Sequence, residues 1–318
     1  MANKPFFAYM LHLSTHMWMD ENSTSALWYP TNLYCENNNV DLDVWDETIK
    51  FLAEKKFDMV LIDVGDGIKY ETHPEISAPD AWDKDFMKKK LDEIRALGIE
   101  PVPKLNFSAG HDTWMKEYRR MLSTPAYYKM CSDVIAEVCE LFGYPRLFHL
   151  GLDEETAPIQ AKYECIIIRN QNLWWHDAYF LFAECEKHGA RPWVWSDYMW
   201  DHPDLFFEKM PRSVVQSNWY YSEFRDFSAD MPRVKMKIEC YEKLDKLGYD
   251  QIPTCSTYYK SLSPYNTLGF CKERLSSEHL LGIMTASWYM TEDNSRYALL
   301  NDAHRFYNAR KHWYPETL

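Results

Sequence analysis

Short apolar runs alternate with longer amphipathic stretches from one end of this chain to the other. Eight runs read as strands: Phe7–Leu13, Met59–Val64, Glu100–Asn106, Leu147–Leu152, Pro192–Asp197, Val214–Trp219, Ile252–Thr257 and Leu281–Trp288. Their length and their bounding turn residues set them apart from the intervening segments. Helices are predicted over Asp43–Lys55, Asp80–Leu97, Tyr127–Phe142, Leu173–His188, Val234–Leu247 and Asn294–Lys311. In the second of these, Phe86, Leu91, Ile94 and Leu97 fall at helical spacing. Three helix ends run into a similar joint: Gly98-Ile-Glu-Pro, Gly143-Tyr-Pro and Gly189-Ala-Arg-Pro. Glycine just past a helix, followed at once by a strand, makes the α-to-β connection.

Repeated β-α units with no Gly/Ser-rich linker predict an α/β protein, a single-domain (β/α)8 TIM barrel over residues 1–318. The rival is an open doubly wound sheet, and no Gly-rich phosphate loop follows the first strand to support it. The chain has 318 residues, within the range that barrels reach as one unit.

Aromatic content changes the picture most. Phe, Trp and Tyr make up 16% of the chain, with 13 Trp and 22 Tyr. Such rings fill cores, and they also pave clefts that receive the C–H faces of sugars. The net charge of −13 repels phosphate backbones and anionic lipid, so neither nucleic acid nor a membrane surface is an expected partner. Eight scattered cysteines without a C-x-x-C pair read as reduced, mostly buried thiols. No export signal is read at Met1–Phe7, so the expectation for the chain as written is the cytoplasm, or the periplasm or exterior should a signal peptide have been removed. Trp and Tyr outside the barrel leave a homodimer open.

Barrel chemistry gathers at the C-terminal ends of the strands. There the sequence places Asp63 and Asp66 after strand 2, and Asn106 and His111 after strand 3. Asp153 and Glu154 follow strand 4, and Trp195 and Asp197 close strand 5. Asn218 and Trp219 end strand 6, Tyr258 and Tyr259 follow strand 7, and Trp288 ends strand 8. Acids mixed with Trp and Tyr are what a sugar cleft needs. Glycoside cleavage requires a protonated carboxyl beside the leaving oxygen and a second group for the oxocarbenium-like carbon. Asp153-Glu154 supplies such a pair, and an apolar pocket is expected to keep Glu154 protonated by desolvation, helped by the charge of Asp153. The alternative for the pair is a solvated helix start. His149 is either a core histidine or a group tuning the pair. Trp174, Trp175 and Trp193 read as packing rings.

The run His149-Leu-Gly151-Leu-Asp153-Glu154 resembles the His-x-Gly-Gly-Asp-Glu signature of the family 20 glycoside hydrolases, the β-N-acetylhexosaminidases. Pro103-Lys-Leu-Asn106-Phe-Ser-Ala-Gly110-His111 is similar to their Pro-Glu-x-Asp-x-Pro-Gly-His run. The stretch Leu61 to Gly67, with Tyr70 and Pro74-Glu75, resembles their strand 2 loop. Trp195-Ser-Asp197, Tyr258 or Tyr259, and the segment from Gly282 through Trp288 to Glu292 match the later strands. The resemblance implies an oligosaccharide or glycoside substrate, no cofactor and no metal. It implies Glu154 as general acid/base and Asp153 orienting a 2-acetamido group whose carbonyl attacks the anomeric carbon. Asp66, Asn106, His111, His149, Trp195, Asp197, Trp219, Tyr258, Trp288 and Glu292 would then bind the substrate. The family's strand 1 and strand 2 arginines have no counterpart. Leu152 replaces the second glycine, and Lys104 and Asn106 replace acids. This is the pattern of a distant relative, acting on N-acetylhexosamine or a related sugar. Two other classes stay open: a barrel that binds carbohydrate without turnover, and a metal-dependent hydrolase, which the four-residue spacing of His12 and His16 disfavours.

Overall fold

The computed structural model of the chain describes residues 4–13, 20, 34–161, 163–222, 224 and 231–318. Its strands are β1 (Phe6–His12), β2 (Met59–Asp63), β3 (Glu100–Lys104), β4 (Leu147–His149), β5 (Arg191–Trp195), β6 (Val215–Ser217), β7 (Thr254–Cys255) and β8 (Gly282–Ala286). Each overlaps the run expected from the sequence, overreaches it by at most one residue and stops short of its C-terminal end, β4 by three residues. They form one parallel sheet in the order β6-β5-β4-β3-β2-β1-β8-β7. The ends meet: Ile252 N–H donates to the Gln216 carbonyl at 2.9 Å, and Thr254 N–H to that of Asn218 at 3.0 Å. Isolated bridges at Gln216–Gln251 and Trp219–Thr254 join β6 to β7 and bring the sheet round into a barrel.

The helices are α1 (Leu42–Glu54), α2 (Lys84–Ala96), α3 (Pro125–Leu141), α4 (Ala157–Gln160), α5 (Asn172–Lys187), α6 (Tyr198–Asp201), α7 (Pro203–Lys209), α8 (Pro232–Lys246), α9 (Ser263–Arg274) and α10 (Arg296–Trp313). The short α4, α6 and α7 were not expected, and two further differences have readable reasons. Helix α2 starts at Lys84 rather than Asp80, because Asp83 accepts the Phe86 N–H at 2.8 Å and so caps it. Asp80 is occupied elsewhere, accepting the N–H groups of Asn38 and Asn39. Helix α9 was not expected at all. Its sequence carries Gly269, which weakens helical propensity, yet a Cβ there would sit 2.7 Å from the Trp313 ring, so the glycine lets α10 pack closely.

Strand side chains alternate between two cores. Tyr9, Leu11, Val60 and Ile62 face the helices, whereas Ala8, Met10, Met59, Leu61, Val102, Leu147, Trp193 and Met284 fill the barrel interior. Register then decides what lies above that apolar column. Met10 pairs with Leu61 and Leu61 with Val102; two residues further on, His12 pairs with Asp63, Asp63 with Lys104, and Lys104 with His149. One pleat converts the interior from methionine and leucine to a layer of titratable groups, all buried.

Candidate active site

The floor of the mouth is this titratable layer. Lys104 Nζ donates to Asp63 Oδ2, and His12 Nδ1 lies 3.5 Å from the same oxygen. Burial pushes the Asp63 carboxyl up to about 6 against the pull of Lys104, so it is ionised at neutral pH. Burial, then the Lys104 charge, brings His12 down to about 3 and holds His149 well below the usual histidine range. His149 is thus neutral, and its Nδ1 accepts the Gly151 N–H at 3.0 Å. It is a core histidine by burial and a turn-shaping one by this bond. Asp63 Oδ1, His149 Nε2 and Trp195 Nε1 are buried without a hydrogen-bond partner among the described residues. Such atoms are satisfied by water or by a ligand's hydroxyls.

Above the floor sits the acidic pair. Asp153 is buried, and its Oδ1 accepts from Asn106 Nδ2 at 2.9 Å. Its backbone carbonyl accepts from the Ser108 hydroxyl, and Asn106 is itself held by the Ser108 N–H at 3.0 Å. Gly151 is required here twice over. Its φ is +70°, and a Cβ would lie 1.9 Å from Asn106 Oδ1. The turn continues through Leu152 (φ 66°) and Glu154 (φ 56°), both in the left-handed region that side chains disfavour.

Glu154 donates its N–H to Asp197 Oδ2 at 2.7 Å, and its Oε2 is 3.3 Å from His111 Nε2. His111 Nε2 also lies 3.7 Å from Asp153 Oδ2, so one imidazole faces both acids. The Glu154 side chain is 36% exposed, whereas Asp197, like Asp153, is buried. Burial, with the Asp153 charge next, raises the Asp197 carboxyl to about 7. Asp197 Oδ1 accepts from Trp219 Nε1 at 3.3 Å.

Rings wall the mouth. Trp195 packs on His149 with centroids 4.6 Å apart and on Trp288 at 6.0 Å; Trp288 in turn faces His12 at 5.8 Å. On the other side Trp219 stacks on Tyr221 at 5.1 Å and meets Trp200 edge-on. Tyr221 was missed by sequence reasoning because it lies two residues past the predicted strand end. Its hydroxyl is buried beside Trp288, and burial together with the charges of Asp153 and Glu154 raises it well above the usual phenol range.

Asp153, Glu154, Asn106, His111, Asp197 and Trp219 are therefore in mutual contact, with His149, Trp195 and Trp288 adjoining them. Asp66 belongs to a neighbouring buried pair, with Lys116 Nζ at 2.7 Å. Tyr258 packs on Tyr259 and Tyr289, and half-buried Glu292 accepts from Asn294. The packing rings expected at Trp174, Trp175 and Trp193 are buried. Of the two histidines weighed as metal ligands, His12 turns to Asp63 and His16 lies outside the described residues. Among the described residues no group of three or more His, Cys, Asp or Glu is arranged to hold a metal ion, and no helix is long and apolar enough to cross a membrane.

The barrel superposes on solved enzymes. A chitobiase of Flavobacterium johnsoniae matches over 95% of this chain with a TM-score of 0.66 at 19% identity. The fold is shared with the GH20 enzymes. Dispersin B matches over 98% of the chain (TM-score 0.62, 12% identity), and the β-hexosaminidase of Streptomyces plicatus, solved as a mutant with its product GlcNAc, over 94% (0.63, 12%). This chain spans 48% of the length of the chitobiase, 62% of the Streptomyces chain and 99% of Dispersin B. The sequence matches no family profile and no curated protein.

Proposed function

We propose that this chain is a glycoside hydrolase, a distant relative of the GH20 enzymes, acting on a β-linked N-acetylhexosamine or a related sugar. The observation that carries this is the anchored pair. Asn106 and Ser108 fix Asp153, while Glu154, after a left-handed turn past β4, lies half-buried against His111. An acid held rigid by two neighbours suits an orienting role; one partly exposed can meet a leaving group.

In this reading Glu154 protonates the glycosidic oxygen as the C–O bond breaks. The substrate's own acetamido carbonyl attacks the anomeric carbon and forms an oxazolinium ion. Asp153 accepts a hydrogen bond from the acetamido N–H and balances the growing positive charge. Glu154, now ionised, takes a proton from the water that reopens the ring. Tyr221, whose phenol lies beside Trp288 and feels both acids, is the donor to the acetamido oxygen. Trp195, Trp219 and Trp288 shape an apolar cavity for the acetamido methyl.

The test is a panel of 4-nitrophenyl glycosides with and without the 2-acetamido group, assayed with wild type and Glu154→Gln. Turnover restricted to acetamido sugars, falling by about 10³-fold or more in Glu154→Gln, is the expected result. Turnover restricted to sugars lacking that group removes the substrate-assisted route. Oligosaccharide binding without any turnover, unchanged by Glu154→Gln, overturns the enzyme reading altogether.

A further inference from the structure

The turn that delivers Glu154 is costly to form, because Gly151, Leu152 and Glu154 all have positive φ within four residues. The hydrogen bonds of Asp153 and Glu154 hold it in part. A further anchor is Arg169, from the connection between α4 and α5, with its side chain 1% exposed. Its Nε donates to Glu155 Oε2 at 3.1 Å and its Nη2 to Glu155 Oε1. The same Nη2 donates to the Phe107 carbonyl at 3.1 Å, and Nη1 to Asp177 Oδ2 at 3.3 Å. Asp177 is anchored in α5 and also accepts the Ser123 hydroxyl at 2.6 Å.

Two of these acceptors adjoin the acidic pair and its anchors. Glu155 directly follows Glu154, and Phe107 lies between Asn106 and Ser108, the two residues that hold Asp153. We propose that Arg169 is the positioning residue of this site, a buried guanidinium that locks the loops after β3 and β4 to α5 and so fixes Asp153 and Glu154 relative to each other. The role suits arginine alone. Its planar fork donates in three fixed directions, whereas a lysine ammonium on a flexible stem is a single point charge. Arg169 touches neither substrate nor the reacting atoms; it acts through Glu155 and the Phe107 carbonyl.

The activity part of the test rests on the glycosidase reading, so a second measurement runs beside it. The full chain is prepared as wild type, Arg169→Lys and Glu155→Gln. Each is assayed for kcat and KM on 4-nitrophenyl N-acetyl-β-glucosaminide, and for amide hydrogen exchange by mass spectrometry. Arg169→Lys is expected to lower kcat by about 10²-fold with KM changed less than about threefold, the signature of misplaced catalytic groups. Exchange should accelerate in peptides covering 105–110 and 150–157 and stay at wild-type rates in the other strands. Glu155→Gln keeps the side-chain shape and one acceptor, and should show the same pattern at smaller amplitude. A kcat within about threefold of wild type in both variants overturns the proposal, as does exchange rising throughout the barrel, which marks a merely structural role. If wild type turns over no glycoside, the glycosidase reading falls by itself, and exchange decides this one: local acceleration in Arg169→Lys sustains it, unchanged protection of the two loops overturns it.

Discussion

The lower and upper halves of the barrel interior are built on the same strands and obey opposite rules. Below, Met10, Leu61, Val102 and Leu147 close on one another with no polar atom to satisfy. Above, His12, Asp63, Lys104 and His149 occupy the next inward positions of those four strands, fully or nearly fully buried. Burying apolar groups stabilises roughly in proportion to area. Burying a lysine and a carboxylate does not, and such a pair is often no better for stability than apolar residues of the same shape. A chain that needed only to fold would continue the lower pattern upward. The upper layer instead couples to the acids of the mouth: Lys104 lowers the Asp63 carboxyl, the Asp153 charge raises it, and His111 faces Asp153 and Glu154.

The comparison can be broken most severely at Lys104. Lys104→Met removes the charge that keeps buried Asp63 ionised, so the carboxyl must take up a proton and lose its partner, and the variant should lose about 3–5 kcal/mol in urea unfolding. Adding Asp63→Leu should return most of that stability while leaving turnover impaired. If the single variant unfolds at the wild-type midpoint, the layer carries no electrostatic stress. Met10→Ala probes the half below. A buried methionine truncated to alanine should cost about 3 kcal/mol through the cavity left behind, with kcat unchanged within about twofold. A loss of activity matching that of Lys104→Met would erase the distinction between the two halves.

A pH-dependent contrast comes from Asp197. Its carboxyl titrates near 7 in the folded chain and near 3.8 when unfolded. Between those values the native state holds a proton that the unfolded chain has released, so wild type loses stability as pH rises from about 4 to about 7. His12 acts with the opposite sign: below about 6.5 the unfolded chain gains a proton that the folded one refuses down to about 3. The informative quantity is therefore the difference between Asp197→Asn and wild type. The melting temperature of the variant relative to wild type should climb across that window and then level off. A flat difference means that Asp197 is ionised in the native protein throughout.

The strands and the acidic pair were legible in the sequence because each is a local signal. Leu147-Phe148-His149-Leu150 reads as a buried strand from composition alone, and it points at Asp153-Glu154 without help from elsewhere. What was not legible depends on partners far along the chain. Lys104 looks like a plain substitution until β2 brings Asp63 beside it, 41 residues away in sequence. Arg169 gives no local hint, since its acceptors come from three separate segments. The half-exposure of Glu154 is not readable in the sequence, because apolar neighbours along the chain say nothing about a left-handed turn. Helix α9 escaped for a related reason. The spatial neighbour that makes Gly269 useful, Trp313, lies on another helix.

The contact between Gly151 and Asn106 has a consequence for how this mouth can change over time. A side chain at 151 needs the volume that the Asn106 amide occupies, and shortening Asn106 to make room strips Asp153 of its tether. Neither position can drift by itself without passing through an impaired intermediate. The two positions are coupled, and a library that varies them separately is expected to recover only the starting pair.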